Sequence, residues 1–135
     1  MSIVFREIHT ASETALNEEW FILENTGTEP FNAAGVAAVV VRPGPGPKRK
    51  PQPIGALQPG FVLKPGQRIR LVTGTPGKKS QGDPPAETEE VANYHLFLGQ
   101  KVFAAAGTEV RLSLRQKDVA RVRFDPAAPS GIAAT

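Results

Sequence analysis

The residues most able to do chemistry are few. Two histidines, His9 and His95, are the side chains whose unperturbed pKa lies near neutrality. A general base or a metal ligand needs convergent partners. The two stand far apart in the chain, and neither has a carboxylate pair or a serine motif beside it. His95, inside "NYHLFLG", reads as a strand residue with a satisfied hydrogen bond. The absence of cysteine excludes thiolate metal sites, cysteine nucleophiles and disulfides. "PGPGPK" has the glycines of a phosphate loop but not its Gly-Lys-Ser/Thr ending, and proline removes the N–H groups that would cradle phosphate. The run Glu87, Glu89, Glu90 lacks the spaced oxygen ligands and the glycine of a calcium loop, and fits a solvated face. No catalytic or metal-binding residue, cofactor or small-molecule substrate is therefore expected, and a hydrolase is the weakest of the functions compatible with the chain.

Positive charge is the more informative chemistry. The chain carries 16 Lys and Arg against 13 Asp and Glu, a net +3 with a pI near 9.5. The excess is concentrated: Arg42, Lys48, Arg49 and Lys50 fall in one stretch, Lys78 and Lys79 in another. Solubility alone explains such clusters. The functional alternative is an anionic partner, nucleic acid or a membrane surface, held by Coulomb attraction. No exposed aromatic row accompanies the lysines, so stacking of bases on a sheet is not supported. Arg111 and Arg123 extend the set. If a loop of Gln116, Lys117 and Asp118 joins the last two strands, Leu112 opposes Val122 and Val110 opposes Phe124. Arg111 then opposes Arg123, an unfavourable pair that Glu109, Asp125 or an acidic partner must offset.

The elements that must position these residues follow from alternation rather than helical periodicity. In "GTEVRLSLR", Thr108, Val110, Leu112 and Leu114 face one way and Glu109, Arg111, Ser113 and Arg115 the other. "VARVRF" repeats the pattern. Further strands are expected at 2–8, 19–25, 35–42, 60–63, 67–73 and 94–103, divided by Asn25-Thr26-Gly27, Pro43-Gly44, Pro59-Gly60, Pro65-Gly66 and Gly74-Thr75-Pro76-Gly77. With 13 glycines and 13 prolines, many short elements joined by turns are favoured. The fold class expected is all-β, an antiparallel β-sandwich with immunoglobulin-like character, in one domain over 1–124. Residues 43–53, carrying five prolines, are expected to stay out of the sheets as an exposed basic loop. Residues 74–93 form a second polar loop, and 125–135 a flexible C-terminal tail. Arg6, Glu7 and His9 interrupt any leader-like apolar core at the start, and no stretch is long enough to span a membrane. A cytoplasmic location is the expectation.

Three stretches resemble the lamin-tail domain, an immunoglobulin-like sandwich of nuclear lamins and many bacterial proteins. "NEEWFILENTGTEPFNAAG" is similar to its opening strand and turn. "LKPGQRIRLVTG" is similar to its Leu-x-Pro-Gly entry into a central strand. "YHLFLGQKVFAAAGTEVRLSL" is similar to its late strand pair. The likeness spans roughly residues 16–124 and is to a stand-alone bacterial member. It departs at Val36, where the family often has an aromatic, and in the proline-rich basic loop. The resemblance implies a noncatalytic protein-interaction or scaffolding module, with no family-wide catalytic residue to carry over.

The family's pattern turns Phe21 and Leu23 into the core and leaves Trp20, Ile22 and Glu24 outward. By the same alternation Val36, Ala38 and Val40 point in and Ala37, Val39 and Val41 point out. A solvated face would carry polar side chains there. Trp20, Ile22, Val39 and Val41 on neighbouring strands thus form an expected partner surface, covered by a loop of the same chain or by a second subunit. The alternative partner is a polyanion bound through Arg42, Lys48, Arg49, Lys50, Arg111 and Arg123.

Overall fold

The computed structural model describes residues 3–10, 14–43, 52–57, 61–99, 101–103, 105–115 and 117–133. Among the described residues, ten strands make two four-stranded sheets and one short two-stranded one. The first sheet contains β1 (Ile3–His9), β2 (Trp20–Asn25), β7 (Arg68–Val72) and β8 (Val91–His95), in that order. The second runs β10 (Lys117–Arg123), β9 (Glu109–Leu114), β4 (Ala37–Val41), β5 (Gln52–Ala56). The small sheet pairs β3 (Phe31–Asn32) with β6 (Val62–Leu63). This is an all-β sandwich, as alternation predicts.

Its core is made from the alternate residues of both large sheets. Phe21, Leu23, Ile69 and Leu71 from the first meet Ala38, Val40, Val110, Leu112 and Val122 from the second. Phe103 sits between Phe21 (centroids 5.8 Å apart, edge-on) and Phe124 (5.6 Å), so a chain of aromatic rings crosses the interior. Burial of each such side chain contributes roughly 1.5–3 kcal/mol, the main favourable term of the fold.

Four expectations need correction. β8 pairs with β7 in parallel, Arg68 beside Val91 through Val72 beside His95, so the sandwich is not wholly antiparallel. The strand expected over 94–103 stops at His95, because Phe97 takes a positive φ of 57° that no ladder accommodates. Gln52 and Pro53, placed in a loop by their prolines, open β5, where Pro53 lies beside Val39. β5 is an edge strand, and on its free side a missing N–H costs no ladder bond. Finally, residues 125–133 are not a loose tail: Phe124 and Ile132 form an antiparallel bridge, and Gly131 N–H donates within a turn to the Ala128 carbonyl (3.0 Å).

The last hairpin also differs in register. β9 and β10 are joined across positions 115 and 116, with Leu114 beside Lys117, and Arg115 supplies the positive φ (52°) a tight hairpin turn demands. A bulge between Asp118 and Ala120 then restores parity. Val110 consequently faces Val122, Leu112 faces Ala120, Arg111 faces Arg121 and Glu109 faces Arg123. The inward set is as expected, while the arginine pair is Arg111 with Arg121 rather than with Arg123.

Candidate functional site

Trp20, Ile22, Val39 and Val41 do not form one surface. β2 and β4 belong to different sheets, so Trp20 and Ile22 lie on the outer face of one and Val39 on the outer face of the other. Trp20 and Ile22 cluster with Val72 and are only 9% and 6% exposed. The chain supplies its own cover for the indole. His9 stacks on it (4.9 Å, 8° between planes) and the Arg70 guanidinium lies over its ring at 4.9 Å. Arg70 Nη1 donates to Asn93 Oδ1 (2.8 Å), whose Nδ2 donates to the Pro85 carbonyl (2.7 Å), so the polar loop after β7 is tied to this face. Burial lowers the pKa of Arg70 from its ordinary value, with Glu7 and Glu87 opposing the shift. Val39 is half-buried and Val41 is 8% exposed.

The histidines have structural partners. His9 Nδ1 donates to the Glu18 carbonyl (2.8 Å) and His95 Nδ1 to the Gly74 carbonyl (3.2 Å). Glu87 Oε2 accepts the Asn93 N–H (2.9 Å). Among the described residues, no group of three or more His, Asp or Glu converges to hold a metal ion.

Of the basic set, Lys48, Arg49 and Lys50 lie outside the described residues. Arg42 is half-buried at the end of β4. Arg111 Nε donates to Glu109 Oε1 (2.9 Å), and this bond raises its pKa. Arg121 and Arg123 are exposed on β10, and among the described residues neither has an ion pair. Glu109, the carboxylate opposite Arg123, is already held by Arg111.

These two arginines stand at the rim of a cleft enclosing about 470 Å³ between the free edges of β1 and β10. Ile3, Phe5, Val122 and Ile132 are among its apolar lining. The backbone direction at each edge follows from the neighbouring bonds. Asn25 donates to the Gln67 carbonyl (3.1 Å) and accepts from Gly66 N–H (2.7 Å), so its peptide groups face β7. Ile3, opposite Asn25, must then turn its N–H and C=O away from β2, and Phe5 does likewise. On β10, Phe124 donates to the Thr108 carbonyl (2.8 Å), which directs Arg123 to the other side. Arg121, two residues back, is oriented as Arg123 is. Ile3 and Phe5 therefore present backbone polar groups to the cleft from one wall, Arg121 and Arg123 from the other.

At one end the chain fills this gap itself. Ile8 N–H on β1 donates to the Ser130 carbonyl (2.8 Å), and Ala133 N–H donates to the Arg123 carbonyl on β10 (2.9 Å). The turn that ends at Gly131 thus touches β1 through Ser130, and the chain after it pairs with β10 at Ile132. Gly131 (φ +78°) is needed there, since a Cβ would meet the Ile8 carbonyl oxygen. Sequence reasoning singled out Arg123 but missed the cleft and Arg121. The signal was the register of the last hairpin, which hangs on an arginine in a left-handed turn.

No family model matches the chain, and no curated protein matches it. Among the described residues no helix is long and apolar enough to cross a membrane.

Proposed function

We propose that the chain is a noncatalytic protein-interaction module of lamin-tail type, working in the cytoplasm on a protein partner or a second copy of itself. The observation that carries this is the pair of strand edges left open between β1 and β10. Unpaired ladder groups are a template for another polypeptide, and Arg121 and Arg123 add charge that has no ion pair among the described residues. Selection of ligands for the folded protein from a random peptide library tests it. Enrichment of sequences that protect β1 or β10 amides from hydrogen exchange is the expected outcome.

A polyanion-binding role is the second function, favoured by Arg111 facing Arg121 with Arg123 beside them. Each phosphate neutralised would steepen the salt dependence of binding by roughly 0.9 in log–log slope. Retention on duplex DNA that falls in this way, with no peptide enriched, would replace the first function by the second.

A further inference from the structure

We propose that the end of the sandwich bearing Phe97 is a docking surface for a second copy of this chain. This rests on the interaction-module function above and specifies one partner for it. Strain is the first ground. Phe97 is 65% exposed and holds a φ of 57°. Its neighbours fix it there: the N–H groups of Leu96, Phe97 and Leu98 donate to the carbonyls of Val72 (2.8 Å), Gly74 (3.2 Å) and Thr73 (2.8 Å). Leu96 and Leu98 pack on the core, whereas Phe97 takes no part in it. The ring is therefore held rigidly outward, at a cost in backbone energy that no interior contact offsets.

Charge is the second ground, and it chooses the occupant. Gly74 is the hub of this end. Its carbonyl accepts the Phe97 N–H, and a Cβ on it would meet Asn17 Oδ1 and Gln81 Oε1. Those two residues bring the short 3₁₀ turns Leu16–Glu18 and Lys79–Gln81 against it. Lys78 and Lys79 lead into the second turn, and Glu18 ends the first. Asp83 follows Gly82, the residue on which the Glu18 carboxylate rests. All four charged residues are exposed, and among the described residues none has an ion pair. Cations and anions in equal number thus share one end with one apolar ring. A polyanion would meet as much repulsion as attraction here. A second copy turned about a two-fold axis sets each molecule's lysines against the other's carboxylates, with the two Phe97 rings between them. The patch is small, so the dimer is weak, populated at concentrations of order 0.1 mM.

Sedimentation equilibrium up to about 1 mM protein is the measurement, on the protein and three variants: Phe97→Ser, Lys78→Glu/Lys79→Glu and Glu18→Lys/Asp83→Lys. All five residues are exposed, so the variants should keep their fold, checked by melting temperature. A reversible dimer is expected, weakened about a hundredfold by Phe97→Ser, which removes two rings per dimer. Each charge variant presents a single sign to its own copy and should weaken the dimer about tenfold. Mixed in equal amounts, the two charge variants should pair at least as tightly as the unaltered protein, which a mere loss of stability cannot produce. A dimer indifferent to all three variants, or a mixture that stays monomeric, would overturn this surface while leaving an interaction module that pairs elsewhere. A monomer at every concentration would overturn self-association here, and peptide selection that also enriched nothing would overturn the module itself.

Discussion

Glu19 is fully buried at the start of β2, and its carboxylate is the fastener of the segment before β9. Oε1 accepts the Thr73 hydroxyl (2.9 Å) and the Val102 N–H (2.7 Å), and Oε2 accepts the Phe103 N–H (3.3 Å). Val102 and Phe103 carry no ladder partner of their own, yet Phe103 is the middle ring of the aromatic core. Truncation by Glu19→Ala would strand three donors out of water, at about 1–3 kcal/mol each. The hydroxyl can rotate to another acceptor and the segment can open to water, so the loss should settle near 3–5 kcal/mol. That is a large share of the roughly 5–15 kcal/mol of a domain this size. Glu19→Gln keeps the shape and one oxygen but turns an NH₂ toward the Phe103 N–H, and should cost about 1–3 kcal/mol. Urea unfolding of the three proteins measures both, and hydrogen exchange at Val102 and Phe103 shows whether the segment has opened. A Glu19→Ala loss below about 1 kcal/mol, or a glutamine variant no better than alanine, would refute the fastening role.

Other perturbations have defined signs. Hydrogen bonds from Arg68 and then Arg6 hold the Glu24 pKa below its ordinary 4.5. Its stabilisation is therefore present above that value and lost as pH falls through the native pKa. Glu24→Gln should lower stability at neutral pH by under about 1 kcal/mol, both arginines being half-exposed, and the melting curves should converge in acid. Phe97 is 65% exposed and left-handed; Phe97→Gly removes about 1–2 kcal/mol of backbone strain against 0.5–1 kcal/mol of added chain entropy, so denaturation midpoints should rise slightly. Ile22→Lys buries a charge under the chain's own cover, so sedimentation should show no change in association state while unfolding loses several kcal/mol.

Much of the sandwich was legible because period-two alternation is imposed by burial itself. Phe21, Leu23, Val40, Leu112, Val122 and Phe124, each assigned inward, are all in the core. What escaped depends on partners remote in sequence. "VANYH" says nothing of which strand it joins, nor in which direction. Pro53 reads as a breaker until its strand is known to lie at an edge. Trp20 and Val39 look alike as outward apolar residues, yet tertiary placement sends them to opposite sides of the molecule. The cleft needed more still, since it arises from three segments distant in sequence, β1, β10 and 130–133.

The other sheet edges bear on polymerisation. β5 presents Pro53 and the left-handed Gly55 at its rim, a poor template for a further strand. β8 has its Asn93 N–H taken by Glu87 and its Val91 carbonyl by the Thr88 N–H, so its own upstream loop occupies positions a neighbour would seek. Growth of a fibre by edge pairing requires two competent rims on every unit, one to receive and one to offer. Of the two large sheets, the remaining rims are β1 and β10, which face each other across the cleft. For the two large sheets, edge pairing by a second molecule therefore has one place to start, and a molecule closed there by its own chain or by a ligand offers no large-sheet rim for growth.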